Sequence, residues 1–176
     1  MMDEFELKFG ASAHGKVSID AELDVVSFER RISYTLPEEL RQILVHFGAA
    51  VIFQKDVKFK PNERTFLEDS DGYHALEILY GTAQDSNGLE NKNATYQDQV
   101  PSGLIVLGES PGGNQVCLDK STGRVIFWHH EAVADEESVF EIANDFGDFI
   151  NRLQVDNIHP ASEPDGIVKE KSFLNF

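Results

Sequence analysis

Immediately after Gly48 the apolar period of this chain changes from 3.6 to 2, and that switch limits the possible folds more than any other feature of the sequence. Ahead of it, LPEELRQILVHFG places Leu40, Ile43, Leu44 and Phe47 on one stripe, the spacing of a helix with a single buried face. Pro37 suits the first turn, Glu38 and Glu39 favour its positive end, and Gly48 suits the position just past the last turn. Behind it, AVIF (50–53) and VKFK (57–60) read as strands, the second turning Val57 and Phe59 inward and Lys58 and Lys60 outward. A helix that runs straight into a sheet, within a 176-residue chain that is 41% hydrophobic and carries 13 Phe, predicts one domain with a core of its own.

The same periodicities organise the rest. DVVSFERRI predicts a short first helix with Val25, Phe28 and Ile32 inward and Asp24 as its N-cap. YHALEILY (73–80) is a strand candidate, although Leu76 and Leu79 leave a helix open. Residues 81–103 are too long for a hairpin connection, and a short helix is expected near Leu89 to Tyr96. GLIVLG (103–108), NQVCLD (114–119) and RVIFWHH (124–130) then predict three close strands, the last two joined as a hairpin by Lys120-Ser121-Thr122-Gly123. After an acidic loop, Asn144 stands as the cap of DFGDFINRL, where Phe146, Phe149, Ile150 and Leu153 form the final stripe. The pattern predicts an α+β fold, a mainly antiparallel or mixed sheet flanked by helices. Its expected divisions are an N-terminal extension (1–23), the domain (24–155) and a tail (156–176) in which Phe173, Leu174 and Phe176 are docking candidates.

The chemical motifs fail one by one. Residues 108–113 give G-x-x-x-x-G, but Asn114 and Gln115 follow where phosphate binding needs Lys and Ser or Thr, and a strand follows where a helix is needed. Ser110 lacks a nucleophile frame. Gly112 and Gly113 are therefore read as a turn between two core strands, with Pro111 setting its entry and Asn114 tolerating an unusual backbone. His129 and His130 point to opposite faces of a strand, so they do not share an ion and are expected to make surface hydrogen bonds; only His129 and Glu131 are same-face neighbours. Asp69 and Asp71 before Gly72 lack the calcium-loop register and read as an acidic turn. No carboxylate spacing singles out an acid and base pair. No catalytic residue, cofactor or metal is expected, and a ligand site at the 108–114 loop is the remote alternative.

Charge sharpens the function class. With 31 acidic against 15 basic residues the formal net charge is −16, which disfavours direct nucleic-acid binding because that needs clustered Lys and Arg. The imbalance concentrates in two stretches. Between Arg124 and Arg152 no Lys or Arg occurs, while Glu131, Asp135, Glu136, Glu137, Glu141, Asp145 and Asp148 do. The other holds Glu63, Glu68, Asp69, Asp71, Glu77, Asp85 and Glu90 against Arg64. Such stretches are either solvated faces or a surface for a basic partner. The lone Cys117 and the absence of any long apolar run point to a cytoplasmic protein with no membrane segment.

In their order, LPEELRQILVHFG, GLIVLGESPGGNQVCLD, GRVIFWHHE and IANDFGDFINRL resemble the SUKH superfamily, over about residues 24–153. That superfamily includes the yeast cell-wall synthesis regulator called Smi or Knr and many bacterial immunity proteins that neutralise toxins. The resemblance implies a non-enzymatic protein-binding α+β domain, a monomer or weak dimer, whose partner is a basic nuclease- or deaminase-type toxin; a regulatory module of the same fold without a toxin is the alternative. Under it, acidic surfaces at Asp69 and Asp71 and at Glu109, Glu131, Asp135, Glu136 and Glu137 are expected to meet the partner, beside the Asn114 turn, with Trp128 or His129 as a buried anchor.

Overall fold

The computed structural model describes residues 2–133 and 137–156. Helix α1 (Met2–Phe9) and strand β1 (Ala11–His14) come first, followed by α2 (Ala21–Ile32) and α3 (Glu38–Phe47). The chain then alternates little: β2 (Ala50–Phe59), β3 (His74–Leu79), α4 (Leu89–Tyr96), β4 (Leu104–Ser110), a 3-10 turn (Pro111–Gly113), β5 (Asn114–Asp119), β6 (Val125–Trp128), β7 (Val139–Ala143), α5 (Phe146–Arg152) and β8 (Gln154–Val155). All strands belong to one 8-stranded sheet in the order β1 to β7, with β8 beside β2. Every strand pair in it is antiparallel. The fold is α+β.

The stripe of α3 buries Leu40, Ile43, Leu44 and Phe47 as its spacing requires, and the helix closes where the Gly48 N–H returns to the Leu44 carbonyl. AVIF and VKFK are not two strands but one, β2, with its pairing to β3 shifted between Ile52 and Val57. YHALEILY forms a strand and residues 89–96 form the expected helix. Asp24 does not cap α2: the helix begins three residues earlier, at Ala21, the Asp24 N–H already donates to the Asp20 carbonyl, and the Asp24 carboxylate instead accepts from the Ser18 hydroxyl.

Residues 2–14, set ahead of the domain by the sequence reading, supply α1 and β1. β1 pairs with the first half of β2, and Phe5 and Phe9 enter the common core against Phe47 and Phe53. Burying each phenyl is worth about 1.5–3 kcal/mol, enough to hold a short helix that has little stability alone. The acidic loop after His130 hides a strand: Val139–Ala143 is β7, paired to β6. The α5 cap is Asp145 rather than Asn144, because the Asp145 carboxylate accepts from the Asp148 N–H at 2.7 Å while Asn144 donates to Asp148. The stretch expected as tail begins with Asp156, whose N–H donates to the Asp56 carbonyl; Phe173, Leu174 and Phe176 lie outside the described residues.

The sheet coils until the chain beyond β2 meets β7. Beyond β2, the Asn62 and Glu63 N–H groups donate to the Ile142 and Glu141 carbonyls of β7. His74 on β3 correspondingly packs on Phe127 of β6, 4.4 Å between ring centroids, although β4 and β5 lie between their strands in the sheet. On β4, the Asn93 side chain acts as a surrogate strand, its amide both donating to and accepting from the Val106 backbone at 2.9 and 2.8 Å. Gly81 has no room for any side chain, since a Cβ there would lie 1.9 Å from the Ala49 carbonyl carbon.

Candidate functional site

The coiling draws several separate pieces of chain around one open cleft of about 340 Å³. β2 and the chain following β8 contribute Asp56, Val57, Lys58 and Asp156; the 61–73 loop contributes Leu67, Glu68, Asp69 and Tyr73; β3 and the Gly-rich turn contribute His74, Ala75, Ser110, Pro111 and Asn114 over a Phe127 floor. Gly112 and Gly113, at φ 83° and 78°, reverse the chain between β4 and β5. Asn114 has ordinary extended backbone (φ −67°, ψ 144°), so the unusual conformation falls on the glycines alone. Its side chain ties the turn together instead, donating to the Pro111 carbonyl and accepting from the His130 N–H.

The 61–73 loop is shaped by its own carboxylates. Asp69 accepts the N–H groups of Tyr73 at 2.8 Å and Asp71 at 2.9 Å, and these bonds hold its carboxyl below the usual range. Glu68 accepts the Thr65 N–H at 2.5 Å, and its side chain is only 8% exposed. Among the described residues its ion-pair partner is Arg64, 3.8 Å away and itself almost fully solvated. Beneath, His74 stacks on Phe59 and bonds Thr65 Oγ1 through Nε2 at 2.9 Å; burial lowers its pKa, which the nearby Glu68 and Asp69 partly oppose. Lys58 crosses the cleft with its ammonium 2.7 Å from Asp156 Oδ1 and 4.6 Å from the Tyr73 ring centroid. The Asp156 bond first, then Asp69 and Asp71, raise the Lys58 pKa. The Ser110 hydroxyl donates to the Ala75 carbonyl at 2.6 Å, so its proton is committed to the backbone.

Of the residues singled out in the sequence, Asp69 and Asn114 line this cleft and Asp71 lies in the same turn. Glu109 faces elsewhere: its Oε2 lies 2.8 Å from the buried Tyr80 hydroxyl and 3.5 Å from Lys92. That hydroxyl also lies 2.7 Å from Gln115 Oε1, and burial first, then Glu109, pushes its pKa upward. Trp128 and His129 are buried in the described structure, Trp128 edge-on to Tyr96 and His129 under Phe66. The expected surface hydrogen bonding of the histidine pair is therefore wrong for His129, whose Nδ1 has no hydrogen-bond partner; the coil of the sheet and Phe66 cover it. Glu131 and Glu137 are exposed, and Asp135 and Glu136 lie outside the described residues. Cys117 is buried in β5, and burial pushes its thiol pKa up.

Asp56, Lys58, Glu68, His74 and Asp156 were not legible as parts of one site. Lys58 read as an outward strand residue and Asp156 as the start of a tail, and 98 residues separate them. Among the described residues no group of three or more His, Cys, Asp or Glu side chains is placed to hold a metal ion, and no helix is long and apolar enough to cross a membrane.

This architecture, a coiled antiparallel sheet with helices packed on it and a Gly-rich turn at its cleft, coincides with a family match: the SMI1 / KNR4 family (SUKH-1) over residues 21–152. The chain belongs to this family. The matched span opens with α2 and ends with α5, so α1 and β1 precede it and β8 follows it. A SUKH-1 domain here carries an added edge strand at each end of the match, both on β2. The chain is also similar to the SPbeta prophage-derived uncharacterized protein YokK of Bacillus subtilis (strain 168), 32% identical over 160 residues that cover 86% of this chain and 83% of the relative. No solved structure matches the chain significantly.

Proposed function

We propose that this SUKH-1 protein is a non-enzymatic, cytoplasmic immunity protein that neutralises a basic toxin domain, of the nuclease or deaminase type, by binding it across the acidic cleft. The observation that carries the reading is the cleft lining, where Asp56, Glu68, Asp69 and Asp156 stand with Lys58 as the only Lys or Arg among the described residues. A toxin that acts on nucleic acid presents cationic side chains where phosphates bind, and carboxylates held at comparable positions compete for the same cations. The net charge of −16 steers such a partner inward. Beside the cleft, Phe66 is 64% exposed yet held edge-on to His129 and Phe140, 5.0 and 6.3 Å between centroids. A solvent-facing aromatic with a supported ring is the usual anchor of a protein interface. The polar groups of the cleft support binding over catalysis, since Ser110 donates to a backbone carbonyl and Asp69 is committed to its own loop.

Co-expression with the toxin domain encoded beside the gene tests this. Growth rescue and co-purification are expected, with binding that weakens as salt rises from low to physiological strength. A chain that neither rescues nor co-purifies is not an immunity protein for that toxin.

A further inference from the structure

We propose that the cleft is a receptor for a single arginine side chain of the partner, seated against Glu68 and Asp56 over the aromatic floor, and that Lys58 occupies the mouth until the arginine arrives. The inference deepens the proposed function and rests on it for the identity of the partner, though not for the cleft itself.

Three independent observations converge. The first is uncompensated charge. The Glu68 side chain is more than nine-tenths buried, receives one N–H from Thr65, and among the described residues pairs only with the solvated Arg64, 3.8 Å away. His74, its neighbour, is held towards the neutral form by burial and does not supply the missing charge. A buried carboxylate is stable in proportion to the cationic and hydrogen-bonding partners it finds, and this one is short of a cation. Asp56, in the same lining, is exposed and its carboxylate has no hydrogen bond or ion pair among the described residues. The second is shape. About 340 Å³ lies at the small end of the range of ligand sites, the floor is Phe127 and His74, and one wall is the Tyr73 ring. Aromatic faces beside carboxylates suit a planar guanidinium, which stacks and donates in a fork, better than an ammonium. The third is the resident cation. Lys58 already holds an ammonium over the Tyr73 ring and against Asp156, which shows that the mouth stabilises positive charge, while its ion pair is with neither Glu68 nor Asp56. Residues 157–176, which follow Asp156 in the sequence, include Lys169 and Lys171, so a cation of the chain itself is the alternative that the test must separate.

A titration of the full-length, isotope-labelled protein with N-acetyl-arginine amide, followed by amide NMR shifts, tests the assignment without needing the toxin. Shifts are expected to gather on Leu67, Asp69, Tyr73, Ala75 and Asn114, with N-acetyl-lysine amide weaker and the neutral isostere N-acetyl-citrulline amide inert. Lys58→Ala, which vacates the mouth and leaves Asp156 free, is expected to tighten arginine binding severalfold. Glu68→Gln is expected to weaken it about tenfold, and the exposed Asp56→Asn, which leaves the loop turns intact, severalfold. Shifts spread evenly over Glu131, Glu137 and the helices, equal binding of citrulline, or unchanged affinity in both carboxylate variants each overturn the proposal. If binding emerges only when 157–176 are deleted, the tail and not a partner is the occupant, and the proposal also falls. Arginine binding that persists in a chain unable to rescue growth removes the toxin reading and leaves the receptor; rescue by a chain that binds no arginine does the reverse.

Discussion

The two acidic stretches of this protein look alike as sequence and do opposite things in the fold. Between Arg124 and Arg152 the carboxylates that fall on elements are committed to building them: Asp145 caps α5, Asp148 pairs with Arg152 one turn on at 2.9 Å, and Glu141 accepts from Asn62 and pairs with Arg124. Around Glu68 the carboxylates shape a loop but leave charge facing an open cleft, with Lys58 the only Lys or Arg in its lining among the described residues. Counting acidic residues does not locate a binding surface; counting which of them already have cations does.

The largest effect that bears on this contrast is in the floor under the cleft. Phe127→Ala removes a fully buried ring on which His74 packs, and about 3–5 kcal/mol of stability should go with it, measured by urea unfolding. A much smaller loss means that the cleft rests on its loop and not on the core. Glu68→Gln comes next, with about a tenfold loss of affinity for a basic partner, equivalent to about 1.4 kcal/mol, and little change in folding because the amide oxygen still accepts from Thr65. Asp145→Ala is the mirror case: about 1 kcal/mol of stability lost with the α5 cap, and affinity unchanged when measured well below the melting temperature. Equal binding losses in the two variants would dissolve the contrast.

Titration separates the same regions. The folded-state pKa of His74 is lowered by burial, so the unfolded chain takes up the proton first and stability falls as the pH drops below the ordinary value of 6.5. Asp148 is lowered chiefly by Arg152 and Glu141 chiefly by Asn62; their contribution is complete above the ordinary carboxylate range and disappears as the pH falls through their lowered values. Urea midpoints followed across acid pH should therefore show a fall that begins as the pH drops below 6.5 and that His74→Gln abolishes, and a later one that it leaves in place. The smallest effect belongs to Glu137→Gln, an exposed residue on the way into β7, which should alter stability by less than about 0.5 kcal/mol and leave arginine binding as it was.

Much of the fold was legible because local periodicity and burial agree. The α3 stripe, the β5–β6 hairpin and the phenylalanines of α5 are all places where one segment's pattern matches one buried face. What escaped was short or bought by distant contacts. β7 is five residues inside an acidic run, and its pairing to β6 and to residues 62–63 overrides its composition. α1 carries Phe5 and Phe9, but only docking against Phe47 and Phe53 makes them core. The candidate site was half legible: Asp69 and Asn114 stood out, one in an acidic turn and the other in a Gly-rich one, and nothing in their spacing joined them.

By itself the sequence determined an α+β domain resembling the SUKH superfamily, the Gly112–Gly113 reversal, the excess of negative charge and the failure of the phosphate-loop and nucleophile motifs, because each depends on residue type and near neighbours. Only the tertiary structure decided which carboxylates remain available. Coiling of the sheet carries β2, the 61–73 loop and the end of β8 to one cleft, and it buries His129 and Trp128 while leaving Phe66 in solvent. Charge pairing and burial are set by neighbours across tens of residues, as Lys58 and Asp156 show, and no local pattern encodes such a meeting.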